Sequence, residues 1–161
     1  MVRALLLLLL LPLLACMRPP KQLAGKFDPI TIPEAQATPR EGVVVRWGGT
    51  LVGTRPERDQ TCFEVAAFEL DGQARPERSD ASPGRFVACA PGFFDPAVYQ
   101  PGRDLTVVGA LHGTTAGRVG DYDYTFPRVD AATLHLWPDR PPEDVPPAWW
   151  PMIGISVGGS F

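Results

Sequence analysis

Apolar residues follow different patterns in different parts of the chain, and the first pattern is a run of ten residues from Leu5 to Leu14 in which Pro12 is the only interruption. A helix that spans a bilayer needs about 20 apolar residues, so this run is too short to cross a membrane comfortably. With the positive charge of Arg3 before it, the run is typical of a secretory signal segment. The alternative, a buried core helix, would need a polar face, and the run has none.

A second pattern begins at Gly42, where short β-rich runs are separated by turn residues. A bend or bulge is predicted at Gly48-Gly49, because glycine inside a strand often marks one. Asp95 and Pro96 together predict the start of one short helix, over 95–99. Strands are predicted over residues 43–54, 61–70, 84–90, 104–114, 118–124 and 128–137. The pattern therefore predicts an all-β fold, a small five- to six-stranded OB-like antiparallel barrel, with a β-sandwich as the alternative.

The segments on either side of the barrel lack sustained periodicity and are rich in proline. We therefore predict four parts: a signal peptide, 1–15, which is removed; a flexible lipidated tether, 16–41; the β-barrel domain, 42–138; and a tail rich in Pro and Trp, 139–161, which is largely disordered. Packing of one part of the tether, Phe27 to Ile32, on the domain is the alternative for that part. Trp149 and Trp150 in the tail are suited to docking on the barrel, to binding a partner, or to a lipid interface.

The end of the leucine run, Leu13-Leu14-Ala15-Cys16, resembles the lipobox of bacterial lipoproteins. In a lipobox the cysteine sulfur is diacylated, the chain is cut before the cysteine, and the new amino group is acylated. Two or more acyl chains anchor a protein stably. Met17 follows the cysteine, and by resemblance to lipoprotein sorting in enterobacteria it indicates export to the outer membrane. We therefore predict a lipid anchor on Cys16, on the periplasmic face of the outer membrane, with no other cofactor.

Two cysteines remain, Cys62 and Cys89, in successive predicted strands. In an oxidising compartment an even number of cysteines favours disulfides. Neighbouring antiparallel strands place cross-strand β-carbons about 4.5–5.5 Å apart, only slightly wider than a disulfide needs. A structural disulfide is the favoured interpretation, and two buried free thiols are the alternative. A redox-active pair is less favoured, because there is no Cys-x-x-Cys motif.

Few residues suggest chemistry. The net charge is −3 and there are only two lysines, so the sequence offers no basic field for nucleic acid. Neither His112 nor His135 has ligand partners at the spacing of a metal site. Asp121 and Asp123 share one face of a predicted strand, but they are more typical of a soluble surface than of a catalytic pair. We predict no catalytic residues, no metal site and no enzymatic activity.

Taken together, the strand segments resemble the Slp family of Gram-negative outer-membrane lipoproteins. The resemblance covers most of residues 42–138, and Glu69-Leu70 departs from the Pro-Leu pair usual in the family. It implies an outer-membrane location and an association with starvation or stationary-phase stress, with no established enzymatic activity. The matching segments are the lipobox, Arg46-Trp47-Gly48-Gly49, Thr61-Cys62-Phe63-Glu64-Val65, residues 84–88, 94–99, 102–109 and 120–127, and His135-Leu136-Trp137.

Two functional hypotheses follow. The first is a lipid-anchored barrel with a non-catalytic, envelope-structural or partner-binding role, whose partners are envelope proteins. The second is an OB-like ligand-binding module that recognises a glycan or a peptidoglycan fragment, and it predicts a concave aromatic groove near one rim of the barrel. The candidate residues for that groove are aromatic or cationic: Trp47, Tyr99, Arg103, Tyr122 and Tyr124.

Overall fold

The computed structural model describes residues 18–140, so the predicted signal segment, Cys16, Trp149 and Trp150 lie outside the described residues. None of the helices within residues 18–140 has the length and apolar character needed to cross a bilayer. The described elements are a 3-10 helix Lys21–Leu23, helix α1 Ile32–Ala37, and strands β1 Glu41–Pro56, β2 Gln60–Phe68, β3 Arg85–Pro91, β4 Asp104–Val119 and β5 Tyr122–Leu136.

The five strands form one sheet that closes in a ring, in the order β1-β2-β3-β5-β4 and back to β1. All neighbours are antiparallel except β3 and β5, which are parallel and share three residue pairs, Val87 with Arg128, Ala88 with Val129 and Cys89 with Asp130. This order is that of an OB-like Greek-key barrel, so the predicted fold is confirmed and the β-sandwich alternative is not observed.

Strand β1 closes the ring because its middle residues pair with two neighbours at once. Gly49 lies opposite Ala67 on β2 and opposite Leu105 on β4. A β-carbon added at Gly49 would lie 1.9 Å from the carbonyl oxygen of Ala66, so only glycine allows this approach. The bulge predicted at Gly48-Gly49 is therefore wrong in position: the register shifts lie between Leu51 and Gly53 and between Glu41 and Val44.

Side chains from all five strands fill the interior of the ring. Along β4 the alternating residues Leu105, Val107 and Leu111 point inward and are buried. Close packing of such side chains leaves the barrel stabilised by a solid core. The main cluster also contains Val45, Trp47, Leu51, Phe63, Val65, Ala67, Phe86, Ala88, Ala90, Val129 and Ala131.

Two predicted elements differ from the observed ones. Residues 118–124 are not a separate strand: they span the tight turn at Gly120-Asp121 between β4 and β5, so five strands form where up to six were predicted. The predicted helix at 95–99 is a single turn, in which the Asp95 carbonyl accepts hydrogen bonds from the N–H groups of Val98 and Tyr99. Pro101 follows directly after Gln100 and disfavours continuation of the helix.

The short helix instead lies in the segment predicted as a flexible tether. Helix α1 begins with a capping box, in which the Thr31 and Glu34 side chains bond each other's backbone N–H groups. Ile32 and Ala35 on this helix are buried in the main core. Residues 18–40 thus belong to the folded body rather than to a free tether, because their scattered apolar side chains pack on the barrel.

Candidate functional site

Two residues of the predicted aromatic groove are packed into the protein. Trp47 is only 9% exposed; its indole Nε1–H donates to the carbonyl of Ile30 at 2.9 Å, and its ring meets Phe86 edge to face. Tyr99 packs against Phe63 and Phe94, and burial raises the pKa of its phenol. Trp47 therefore offers no open ring face to a sugar, and the partly buried ring of Tyr99 is already engaged with two other aromatic rings.

The other three residues lie in separate places. Tyr122 is 81% exposed at the tip of the β4–β5 hairpin. The hydroxyl of Tyr124 accepts the backbone N–H of Arg85 at 3.0 Å. Arg103 donates to the carbonyl of Trp137 at 2.9 Å and pairs with Asp139 at 2.6 Å, just before β4. The structure therefore does not bring the five predicted residues together as one concave groove.

The cysteines are joined, and the predicted disulfide is confirmed. Cys62 and Cys89 are direct cross-strand partners on β2 and β3, with their α-carbons 4.0 Å apart. Cys89 also lies opposite Asp130 in the short parallel contact between β3 and β5. The disulfide therefore reinforces the ring beside its shortest strand pairing.

A polar surface surrounds this disulfide on the outside of the barrel, and we call it the outward β2–β3 face. Glu64, Arg85 and Val87 are its partly exposed residues, and Cys62 and Cys89, on the same side of the two strands, are themselves buried. The carboxylate of Glu64 pairs with the Arg85 guanidinium at 2.6 Å. In OB-like barrels this face and the loops beside it are where oligonucleotides and oligosaccharides bind.

Two shallow clefts flank the outward β2–β3 face. A cleft of about 340 Å³ separates the face from the β4–β5 hairpin and is lined by Arg55 and Arg118 among others. A second cleft of about 730 Å³ lies on the β5 side, where Arg128 pairs with Asp130 at 3.3 Å. The first cleft presents charges of both signs, from Arg55, Glu64 and Arg118, and the second presents the Arg128–Asp130 pair; no exposed aromatic residue lines either. Such a surface is suited to a partner with complementary charges.

The two histidines are far apart. His112 lies within 3.6 Å of Glu41 and 3.4 Å of Asp130, whereas His135 contacts Gln22, and burial lowers the pKa of its imidazole. Within residues 18–140 no group of three or more His, Cys, Asp or Glu side chains is arranged to hold a metal ion.

The strongest polar constellation was not predicted from the sequence. The side chain of Asp104 is 2% exposed and meets three guanidinium groups: Arg78 at 2.8 Å, Arg140 at 2.9 Å and Arg75 at 3.5 Å. Thr50 adds a hydrogen bond to the same carboxylate. These contacts join the start of β4 to the β2–β3 loop and to the segment that follows β5, so Asp104 holds three parts of the chain together.

Charge pairing keeps Asp104 ionised. Burial alone would raise the pKa of this carboxyl, but the hydrogen bonds and charges of Arg140 and Arg78 outweigh burial and hold the pKa below its usual value. Beside this cluster Thr106 accepts the indole N–H of Trp137, and Arg75 stacks over the Trp137 ring. Three guanidinium groups from two other parts of the chain converge on Asp104, so the cluster acts as a structural clasp.

Comparison with known proteins gives a consistent family. A family model described as "Outer membrane lipoprotein Slp family" matches residues 13–156. The chain is 33% identical over 96 residues to an uncharacterized lipoprotein, YeaY, of Escherichia coli (60% of this chain, 49% of that protein), and 35% identical over 107 residues to an uncharacterized protein of Haemophilus influenzae (66% and 58%). It is 27% identical over 139 residues to the outer membrane protein Slp of Escherichia coli (83% and 73%).

The chain thus aligns with only about half the length of the first two relatives. Among solved structures, a small single-stranded DNA-binding protein from Streptomyces coelicolor aligns with 59% of this chain and 94% of that chain, with 16% identity and a TM-score of 0.38. That similarity is too slight to bear on function. The family match extends over most of the chain, including the predicted lipobox and the barrel, and it confirms the predicted outer-membrane location. The chain belongs to the outer membrane lipoprotein Slp family.

Proposed function

We propose that this protein is anchored to the outer membrane by acyl chains on Cys16 and has a non-catalytic, partner-binding role at the periplasmic face. The lipobox-like segment and the family membership support the anchor. A role in starvation or stationary-phase stress is part of this proposal and rests on the family resemblance alone.

The observation that carries the partner-binding role is the contrast between the two sides of the sheet. The interior is filled by packed side chains, whereas the outward β2–β3 face carries the Glu64–Arg85 ion pair between clefts of about 340 and 730 Å³. Half-exposed charge pairs such as Glu64–Arg85 favour specific recognition of a protein partner. The glycan-binding alternative is less well supported, because Trp47 and Tyr99 are packed inward.

The lipid anchor predicts that Cys16→Ser will remove the protein from the outer-membrane fraction. Without the thiol no diacyl group can be attached, and a single apolar signal run is no substitute for two or more acyl chains. Membrane fractionation with immunoblotting measures this, together with intact mass of the wild-type protein to detect the lipid. If the Cys16→Ser protein still fractionates with the outer membrane, the anchor is wrong.

The partner-binding role predicts site-specific crosslinking in intact envelopes. With p-benzoyl-phenylalanine in place of Tyr122, at the hairpin that borders the outward β2–β3 face, irradiation should give a discrete product with one envelope protein. The control places the same photo-crosslinker at Val98, which is also exposed but lies near Arg103 before β4. Equal products from both positions, or a lone uncrosslinked lipoprotein, would contradict the role assigned to this face.

A further inference from the structure

The segment closest to the predicted lipid is cationic although the chain as a whole is acidic. Residues 18–27 contain Arg18, Lys21 and Lys26 and no Asp or Glu, in a protein of net charge −3. We call these three residues the basic collar. Their side chains are exposed. Among the described residues, none of the three has a carboxylate within ion-pair distance.

Most arginines elsewhere in the described body are paired. Arg55, Arg75, Arg78, Arg85, Arg103, Arg118, Arg128 and Arg140 all contact a carboxylate. The acid nearest in sequence to the collar is Asp28, two residues after Lys26, and it leaves a cationic surplus. An unpaired cationic surplus in the segment nearest the predicted anchor favours an anionic partner there.

The collar is fixed on the barrel. Leu23, between the two lysines, is fully buried against Ala74 and Trp137. The Gln22 amide contacts the His135 ring nitrogen at 2.5 Å, and the Arg46 guanidinium donates to the Leu23 carbonyl at 2.8 Å. Orientation of the collar therefore fixes orientation of the whole body.

The collar is also close to the predicted anchor. Leu23 follows Cys16 by seven residues, and seven extended residues span at most about 25 Å. Arg18 follows it by two. If the lipid on Cys16 is in the bilayer, the collar lies at the level of the headgroups, where basic residues gain about fivefold in affinity each from anionic lipid.

We propose that the basic collar binds the phosphates of anionic phospholipid headgroups and holds the barrel against the membrane in one orientation. This inference rests on the proposed lipid anchor. The barrel is then docked on the membrane and does not hang from a flexible tether, because the collar segment is packed on the barrel.

The two collar lysines are the only lysines of the chain, so amine labelling reports on the collar alone. The lipidated full-length mature protein is reconstituted in vesicles of phosphatidylcholine, or of phosphatidylcholine with phosphatidylglycerol. Acetylation of Lys21 and Lys26 is then followed by mass spectrometry. We expect labelling about fivefold slower on the anionic vesicles, and recovery of the rate in high salt.

The control is Arg118→Lys, which keeps the charge and adds a third amine at the β4–β5 hairpin. Its labelling rate should be the same on both vesicles. Equal slowing at all three positions would mean a general surface effect, and equal rates on both vesicles would mean no docking; either result overturns the proposal.

Flotation separates this proposal from the anchor. A protein that floats with neutral vesicles but labels equally on both has an anchor and no collar contact. A protein that floats only with anionic vesicles has a collar contact and no lipid anchor. A protein that floats with neither would overturn both.

Discussion

Replacing Asp104 with asparagine should lower the free energy of unfolding by about 3 kcal/mol, because removing one partner from a buried ion cluster leaves the others uncompensated. The carboxylate is almost fully buried and neutralises Arg75, Arg78 and Arg140. We take the lower end of the usual range, since Arg78 and Arg140 retain contact with solvent. Urea denaturation of the mature protein at neutral pH, followed by tryptophan fluorescence, measures the loss.

The matched control is Asp139→Asn, which removes a carboxylate 2.6 Å from Arg103 on the exposed side of the same region. An exposed pair contributes at most about 1 kcal/mol, so this variant should unfold close to the wild type. Equal stabilities of the two variants would show that Asp104 is not the centre of the clasp.

The difference in stability between the wild type and Asp104→Asn should depend on pH. Because the folded pKa of Asp104 is below its unfolded value, the wild type gains stability from this group above the unfolded pKa, and loses it as pH falls through the folded pKa. The difference between wild type and Asp104→Asn should therefore be full at neutral pH and should shrink in acid. A difference that persists in strong acid would point to lost packing instead of lost charge.

The sequence predicted the barrel well because each strand carries its own evidence. Alternation such as Leu105, Val107 and Leu111 identifies the inward face without knowledge of any neighbour. The helix was misplaced for the opposite reason: Asp95-Pro96 is a real start signal, but five residues before Pro101 can form only one turn. Packing of Phe27 to Ile32 on the barrel was an alternative, but the burial of Leu23 was missed, since the apolar residues of this segment show no periodicity and gain their burial from distant strands.

The ion cluster around Asp104 could not be predicted either, because its members are distant in sequence. Asp104 and Arg140 are separated by a strand hairpin, and Arg75 and Arg78 lie in a loop with no regular structure, so nothing local indicates that they meet. The five candidate groove residues do not converge, because they were chosen by residue type alone, whereas Trp47 faces the core and Tyr99 packs against Phe63. Cys62 and Cys89 were predictable because strand pairing and compartment together constrain them.

Removing the disulfide with Cys62→Ala and Cys89→Ala should cost about 3–4 kcal/mol, the loop-closure entropy expected for residues 27 positions apart. We expect the loss of stability to be greatest in the part of the ring next to the disulfide. Cys89 lies in the parallel β3–β5 contact of three residue pairs, whereas β4 and β5 pair along most of their length. Without the disulfide, β3 is held less firmly to β2, and we expect the ring to open first between β3 and β5, because only three residue pairs join those two strands.

Urea denaturation and amide hydrogen exchange test the two parts of this prediction together. The double variant should unfold at lower urea, and amides of residues 87–89 and 128–130 should exchange faster than those along the β1–β4 pairing. Reduction of the wild type should reproduce the variant's stability, and reductant should leave the variant unchanged, which separates loss of the covalent link from loss of the two sulfur atoms. If the double variant is as stable as the oxidised wild type, the disulfide does not contribute to the stability of the barrel.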